Sequence, residues 1–198
     1  MIAFTLHDLA RVRTRAQELV APSEERGFAQ QAAFGSFFLG WARAEQGDED
    51  AGLALMIDSM QRLKALGNDI FSSLRQVGLA GVLRRQGKLR EALAAVETGE
   101  AFVARSGERI FESELFRLRG QIALDGGDRA TAERALRQAL DVARAQGAPL
   151  FELRAATALA EGCGSGCAQF RDALERVYSS FREGLERPDQ RARAALDF

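Results

Sequence analysis

Few residues in this 198-residue chain combine the type and the spacing that chemistry requires. The nearest approach to a phosphate-binding loop is Gly81-Val82-Leu83-Arg84-Arg85-Gln86-Gly87-Lys88-Leu89. Such a loop uses glycines at a fixed separation to curl backbone N–H groups around phosphate, and a Ser or Thr after the Lys to hold Mg2+. Here one residue too many separates the glycines, Leu89 stands where the hydroxyl belongs, and no strand leads in. Gly81 is expected inside a helix and Gly87 in a turn. Cys163 and Cys167 form a C-x3-C pair, half of a zinc set, but the single histidine, His7, lies at the other end of the chain. A disulfide is the other chemistry open to two thiols in a Gly/Ser-rich loop. One histidine leaves no Ser-His-Asp or Cys-His constellation within one chain. The carboxylate pairs Glu112/Glu114 and Asp48/Asp50 fall at helix starts or turns, where acids favour the helix dipole. The expectation is a chain with no catalytic residue, no metal and no cofactor.

The elements that would position any site are set by glycine. Gly27, Gly47, Gly67, Gly87, Gly107, Gly127 and Gly147 recur every 20 residues, and the next slot holds Cys167. With Gly at about a tenth of the chain, seven successive hits have odds on the order of 10⁻⁷, which makes this an internal repeat. Glycine takes the left-handed conformation that closes a helix and lets the chain reverse. Each unit is then a helix of roughly 16 residues, about 24 Å long, plus a turn. The full period is 40 residues, because small residues recur at Gly40, Ala80, Gly120 and Ala160 in one helix and at Gly52, Ala92 and Ala132 in the other. Small side chains let the two helices of a hairpin approach closely. Phe71, Phe111 and Phe151 share the same interval and are expected as a repeated apolar plug.

Helices are expected at about 6–20, 28–46, 49–66, 69–86, 89–106, 109–125, 129–146, 149–161 and 169–184, with a short one from 189. Asp48 and Asp128 are expected as N-caps, and Pro22, Pro149 and Pro188 at helix edges. The fold class is all-α: a single domain, 1–198, with a half-repeat at 1–26, hairpins at 27–66, 67–106, 107–146 and 147–186, and a tail helix at 187–198. Starting halfway through a repeat leaves an open end, to be covered by a preceding domain, a capping segment or a second copy.

Composition narrows the partners. The formal charge is −1 and the pI about 6.0, so there is no global positive field to attract nucleic acid or an anionic membrane. No stretch reaches the ~18 apolar residues of a membrane span and the N-terminus has no signal-peptide pattern, so a cytoplasmic location is expected.

The third hairpin, with Phe116, Gly120, the Gly127-Asp128 turn, Ala132, Leu136, Ala139 and Leu140, resembles the tetratricopeptide repeat (TPR). That resemblance implies a right-handed α-α solenoid of about four hairpins, with longer helices or turns than the usual period of about 34 residues requires. It also implies that the first helix of each hairpin faces a groove. The groove candidates are Phe34, Phe37, Trp41 and Glu45, then Leu74, Val77, Gly81 and Arg85, then Glu114, Arg117, Gln121 and Asp125, and Arg154. This gives an aromatic end and a charged end, suited to a protein or peptide by mixed apolar and ionic contacts. Ordinary helix packing is the other reading of the aromatic stripe.

Segments 40–48 (GWARAEQGD), 112–124 (ESELFRLRGQIAL), 133–160 (ERALRQALDVARAQGAPLFELRAATALA) and 177–193 (VYSSFREGLERPDQRAR) resemble the C-terminal TPR region of large bacterial signalling proteins. In those proteins a cyclase or DNA-binding transcription-factor domain and a predicted ATPase module precede the repeats. The resemblance implies a non-catalytic interaction or sensing arm, taking a peptide, a protein or a small-molecule inducer, in signal transduction or transcriptional control. The alternative is a structural element that forms a homodimer through its open half-repeat.

Overall fold

The computed structural model describes residues 2–163 and 168–180. Among them it is all-helical: α1 Ile2–Thr5, α2 Leu9–Glu25, α3 Ala29–Glu45, α4 Glu49–Ala65, α5 Ser72–Arg85, α6 Leu89–Ser106, α7 Glu112–Asp125, α8 Arg129–Ala145, α9 Pro149–Cys163 and α10 Ala168–Ser180. Cys167 and the tail expected at 187–198 lie outside the described residues. None of the described helices is long and apolar enough to cross a membrane. The chain divides into two compact units, Met1–Ala92 and Leu93–Phe198, with the division inside α6. In the first unit α3 packs against α2, α4 and α5; in the second α7 packs against α8 and α9, and α9 against α10. Each unit is therefore built by helices packing in series, as a helical repeat requires.

The glycine metronome has its physical cause in the turns. All seven periodic glycines have positive φ, from 60° at Gly147 to 100° at Gly47. Gly127 shows the geometry: its N–H donates to the Leu124 carbonyl and that of Asp128 to the Ala123 carbonyl, a closure that needs the left-handed residue between them. The same pair of bonds closes α2, α3, α4, α5 and α8. After Gly107 the Glu108 N–H turns to the Ser106 hydroxyl instead.

The slot 20 residues before Gly27 holds His7, and its φ is 57°. The Asp8 N–H bonds the Ala3 carbonyl in the pattern of the glycine turns. So α1 and α2 are joined by a turn of the same kind, and a residue with a Cβ sits where the seven periodic turns have glycine. A left-handed non-glycine residue costs about 1–2 kcal/mol.

Several expectations need correction. The first long helix does not run 6–20: Asp8 caps it, accepting from the Arg11 N–H at 3.2 Å, so α2 starts at Leu9. Nor is Pro22 at a helix edge, because α2 continues through it to Glu25. One missing donor in the last turn is offset by burial of Ser23 and by the closing bond from the Phe28 N–H to the Ser23 carbonyl. The second and third hairpins begin at Ser72 and Glu112 rather than 69 and 109, because a turn precedes each, closed by Ser72 N–H to Asp69 O and Glu112 N–H to Arg109 O. The 40-residue period thus uses both devices, helices of 17 residues such as α3 and α4 and longer inter-hairpin turns. The outer face of α2 is polar, carrying Arg11, Arg13, Arg15 and Glu18, with Leu19 its one exposed large apolar side chain.

Asp128 caps α8, accepting from the Thr131 N–H at 3.0 Å, and that bond holds its carboxyl below the usual carboxylate range. Asp48 occupies the same place before α4 but makes no cap bond; its carboxylate pairs with Arg43 at 2.6 Å. Asp128→Ala is therefore expected to lower the thermal midpoint more than Asp48→Ala. Equal shifts in parallel melts would show that the cap bond contributes nothing.

Candidate functional site

The predicted groove residues divide into two groups, one in each unit. In the first unit Phe37, Trp41, Leu74 and Val77 are buried, as ordinary helix packing would have them, and they give a partner little open surface. The cause is what lies over them. Phe34 and Phe37 pack edge-on against Phe38, with ring centroids 5.1 and 5.5 Å apart. Phe4, from α1, lies 4.5 Å from the Trp41 ring and 5.6 Å from Phe38. The His7 ring stands edge-on to Trp41 at 5.0 Å. Phe34 remains half-buried and Gly81 partly exposed.

At the end of this aromatic patch Glu45 joins three elements. Its Oε2 accepts from His7 Nε2 at 3.2 Å, which places a proton on that nitrogen, and its Oε1 accepts from Arg85. Burial alone would raise the Glu45 pKa; the His7 N–H and the Arg85 charge outweigh it and hold the carboxyl below its ordinary range. Glu45 and Arg85 are one 40-residue period apart, so stacking of successive hairpins brings them together.

The second unit fills the equivalent positions with charge. Glu114 is 3% exposed, and its carboxylate is gripped by Arg117 through Nε at 2.8 Å and Nη2 at 3.0 Å, and by Arg154 Nη1 at 3.1 Å. Arg117 Nη1 also donates to Gln121 at 2.6 Å. Again the α7–α9 contact spans one period, from 114 to 154. Burial would push the Glu114 carboxyl up, but the two guanidinium groups bring it down to about 2. Burial also lowers the Arg154 pKa, and the neighbouring Arg117 charge adds to this against the opposing pull of Glu114. Burial lowers the Arg117 pKa, but Glu114 and then the Glu161 charge raise it, and the Arg117 and Arg154 side chains keep 15% and 23% of their surface exposed. Asp125 is exposed at the end of α7.

The residues considered for catalysis have structural partners. Glu112 pairs with Arg109 at 2.7 Å, Glu114 belongs to the cluster above, and Gly81 and Gly87 fall in α5 and its closing turn, with no strand between them. Among the described residues no group of three or more His, Cys, Asp or Glu could hold a metal ion.

Sequence reasoning missed Phe4, Phe38 and the partnership of His7 with Glu45. An N-cap reading of Asp8 would have detached residues 2–7 from α2 and exposed them as a separate segment. No protein-family model matches the chain, and no curated protein matches it.

Proposed function

We propose that the chain is a non-catalytic, TPR-like module that binds a protein or peptide, with a small-molecule inducer as the other ligand class. In this reading it acts in the cytoplasm, in bacterial signal transduction or transcriptional control, as a right-handed solenoid of about four hairpins. The observation that carries it is the pair of guanidinium groups, Arg117 and Arg154, fixed around buried Glu114 on the first helices of consecutive hairpins. A buried charge cluster is a poor source of stability compared with apolar packing, and guanidinium groups are suited to carboxylate recognition. The ligand it fits is an acidic side chain or a free C-terminal carboxylate.

The test is fluorescence polarisation of the full chain against labelled random-sequence peptide pools, one with free and one with amidated C-termini, with and without acidic residues. Binding is expected to require a carboxylate and to weaken about tenfold or more in Arg154→Gln, as for loss of a charged hydrogen bond. Binding that ignores both the carboxylate and Arg154 would overturn the assignment.

A further inference from the structure

The cluster that holds Arg117 does not use all of its donors. A guanidinium has one N–H on Nε and two on each terminal nitrogen. The Nε donor and one on Nη2 go to Glu114, and one on Nη1 goes to Gln121. Each terminal nitrogen therefore keeps an N–H that a ligand's carboxylate can take.

The opposite charge stands further along the same two helices. Glu114 of α7 and Arg154 of α9 are one 40-residue period apart and bond at 3.1 Å. Gln121 and Glu161 are separated by the same interval, seven residues on in α7 and α9. Seven residues are about two turns, or about 10 Å of helix, so 114 and 121 share one face of α7, as 154 and 161 share one face of α9. Glu161 is exposed, and its charge acts on Arg117. This face of the α7–α9 pair thus runs from guanidinium groups at one end to an open carboxylate at the other.

The polarity restricts the ligand. Glu114 and Glu161 balance Arg117 and Arg154. A carboxylate bound alone at Arg117 would add an uncompensated negative charge on the side of Glu161, whereas a carboxylate that arrives with a cation keeps the balance. We propose that the α7–α9 face binds a peptide with a basic C-terminal residue, the terminal carboxylate on Arg117 and the side-chain cation on Glu161. Lysine fits this pattern because its ammonium sits on a flexible four-carbon stem, which carries it away from the terminal carboxylate toward the far end of the face. Glu161 is then the specificity-determining residue. This inference rests on the carboxylate reading of the same cluster and adds the second charge that the ligand must carry.

The probes are four labelled peptides of one Gly-Ala sequence, ending in lysine, in acetyl-lysine, in glutamate and in lysine amide, each titrated against the full chain by fluorescence polarisation. Acetylation keeps the stem and removes the charge. The lysine peptide is expected to bind about fivefold tighter than the acetyl-lysine peptide, the upper end for an ion pair at an exposed carboxylate, and the glutamate peptide to bind weakest. In Glu161→Gln the three free-acid peptides should converge. Glu161 is exposed in the last turn of α9, so this variant should retain its helical circular dichroism, and the comparison within the unsubstituted chain needs no variant at all. Equal binding of the lysine and acetyl-lysine peptides, or a preference for lysine that persists in Glu161→Gln, would overturn the proposal. In either case the amide decides the carboxylate reading separately: an amide that binds weakly leaves that reading standing, and an amide that binds as well as the free acid removes both.

Discussion

Glu114→Ala should be among the most destabilising single substitutions in the second unit, costing about 3–5 kcal/mol in a urea titration, because it leaves two half-buried guanidinium groups without their shared anion. The pH dependence has a definite sign. The Glu114 carboxyl ionises near 4.5 when unconstrained and at about 2 in the folded chain. A depressed carboxyl contributes stability above its unfolded pKa, here about 3 kcal/mol. That contribution is lost as pH falls from about 4.5 through 2, and Glu114→Ala should remove this part of the acid sensitivity. The first unit indicates the compensating change. One period earlier, the positions of Glu114 and Arg117 hold Leu74 and Val77, both buried. The triple variant Glu114→Leu, Arg117→Val, Arg154→Leu is therefore expected to recover most of the stability that Glu114→Ala loses while failing to bind carboxylate. If the triple is as unstable as the single variant, the cluster is a structural necessity and loses its claim to be a site.

Spacing alone made part of this arrangement legible. A left-handed turn is a local demand that only glycine meets cheaply, so the 20-residue register located every helix from α2 to α9 within a few residues. The pairs 45/85 and 114/154 carried a signal that was available: opposite charges one period apart stand side by side once hairpins stack. The aromatic positions could not be read in the same way. Whether Trp41 is open depends on Phe4, which belongs to a different element and arrives by a tertiary contact that no periodicity encodes. The early start assigned to the first helix had a related cause, because merging residues 6–8 into α2 concealed the His7 turn and left α1 without a boundary.

The 40-residue register also sets a sharper test, since the same substitution should have opposite signs at two glycines. At Gly52 an added Cβ would stand 2.5 Å from the Ala44 nitrogen, 2.5 Å from the Gly40 oxygen and 2.7 Å from the Ala44 Cβ. Two of these obstacles are backbone, so no rotamer change relieves them and α3 and α4 must separate. The equivalent positions in the other hairpins, Ala92 and Ala132, already hold a buried methyl. The α3–α4 pair has glycine on both sides of the crossing, at 40 and 52, where the α7–α8 pair has Gly120 facing Ala132. Gly52→Ala gains up to about 1 kcal/mol of helix propensity, but the overpacking it forces costs about 1–3 kcal/mol or more. With the obstacle in the main chain the upper end applies, and a net loss of about 2 kcal/mol is expected. Gly81→Ala meets no obstacle, so it should keep its propensity gain and raise stability by up to about 1 kcal/mol. Urea midpoints of the two variants decide the matter: a loss at 52 with a gain at 81 means that close helix approach governs the register glycines. Two gains would mean that α3 and α4 can move apart at little cost.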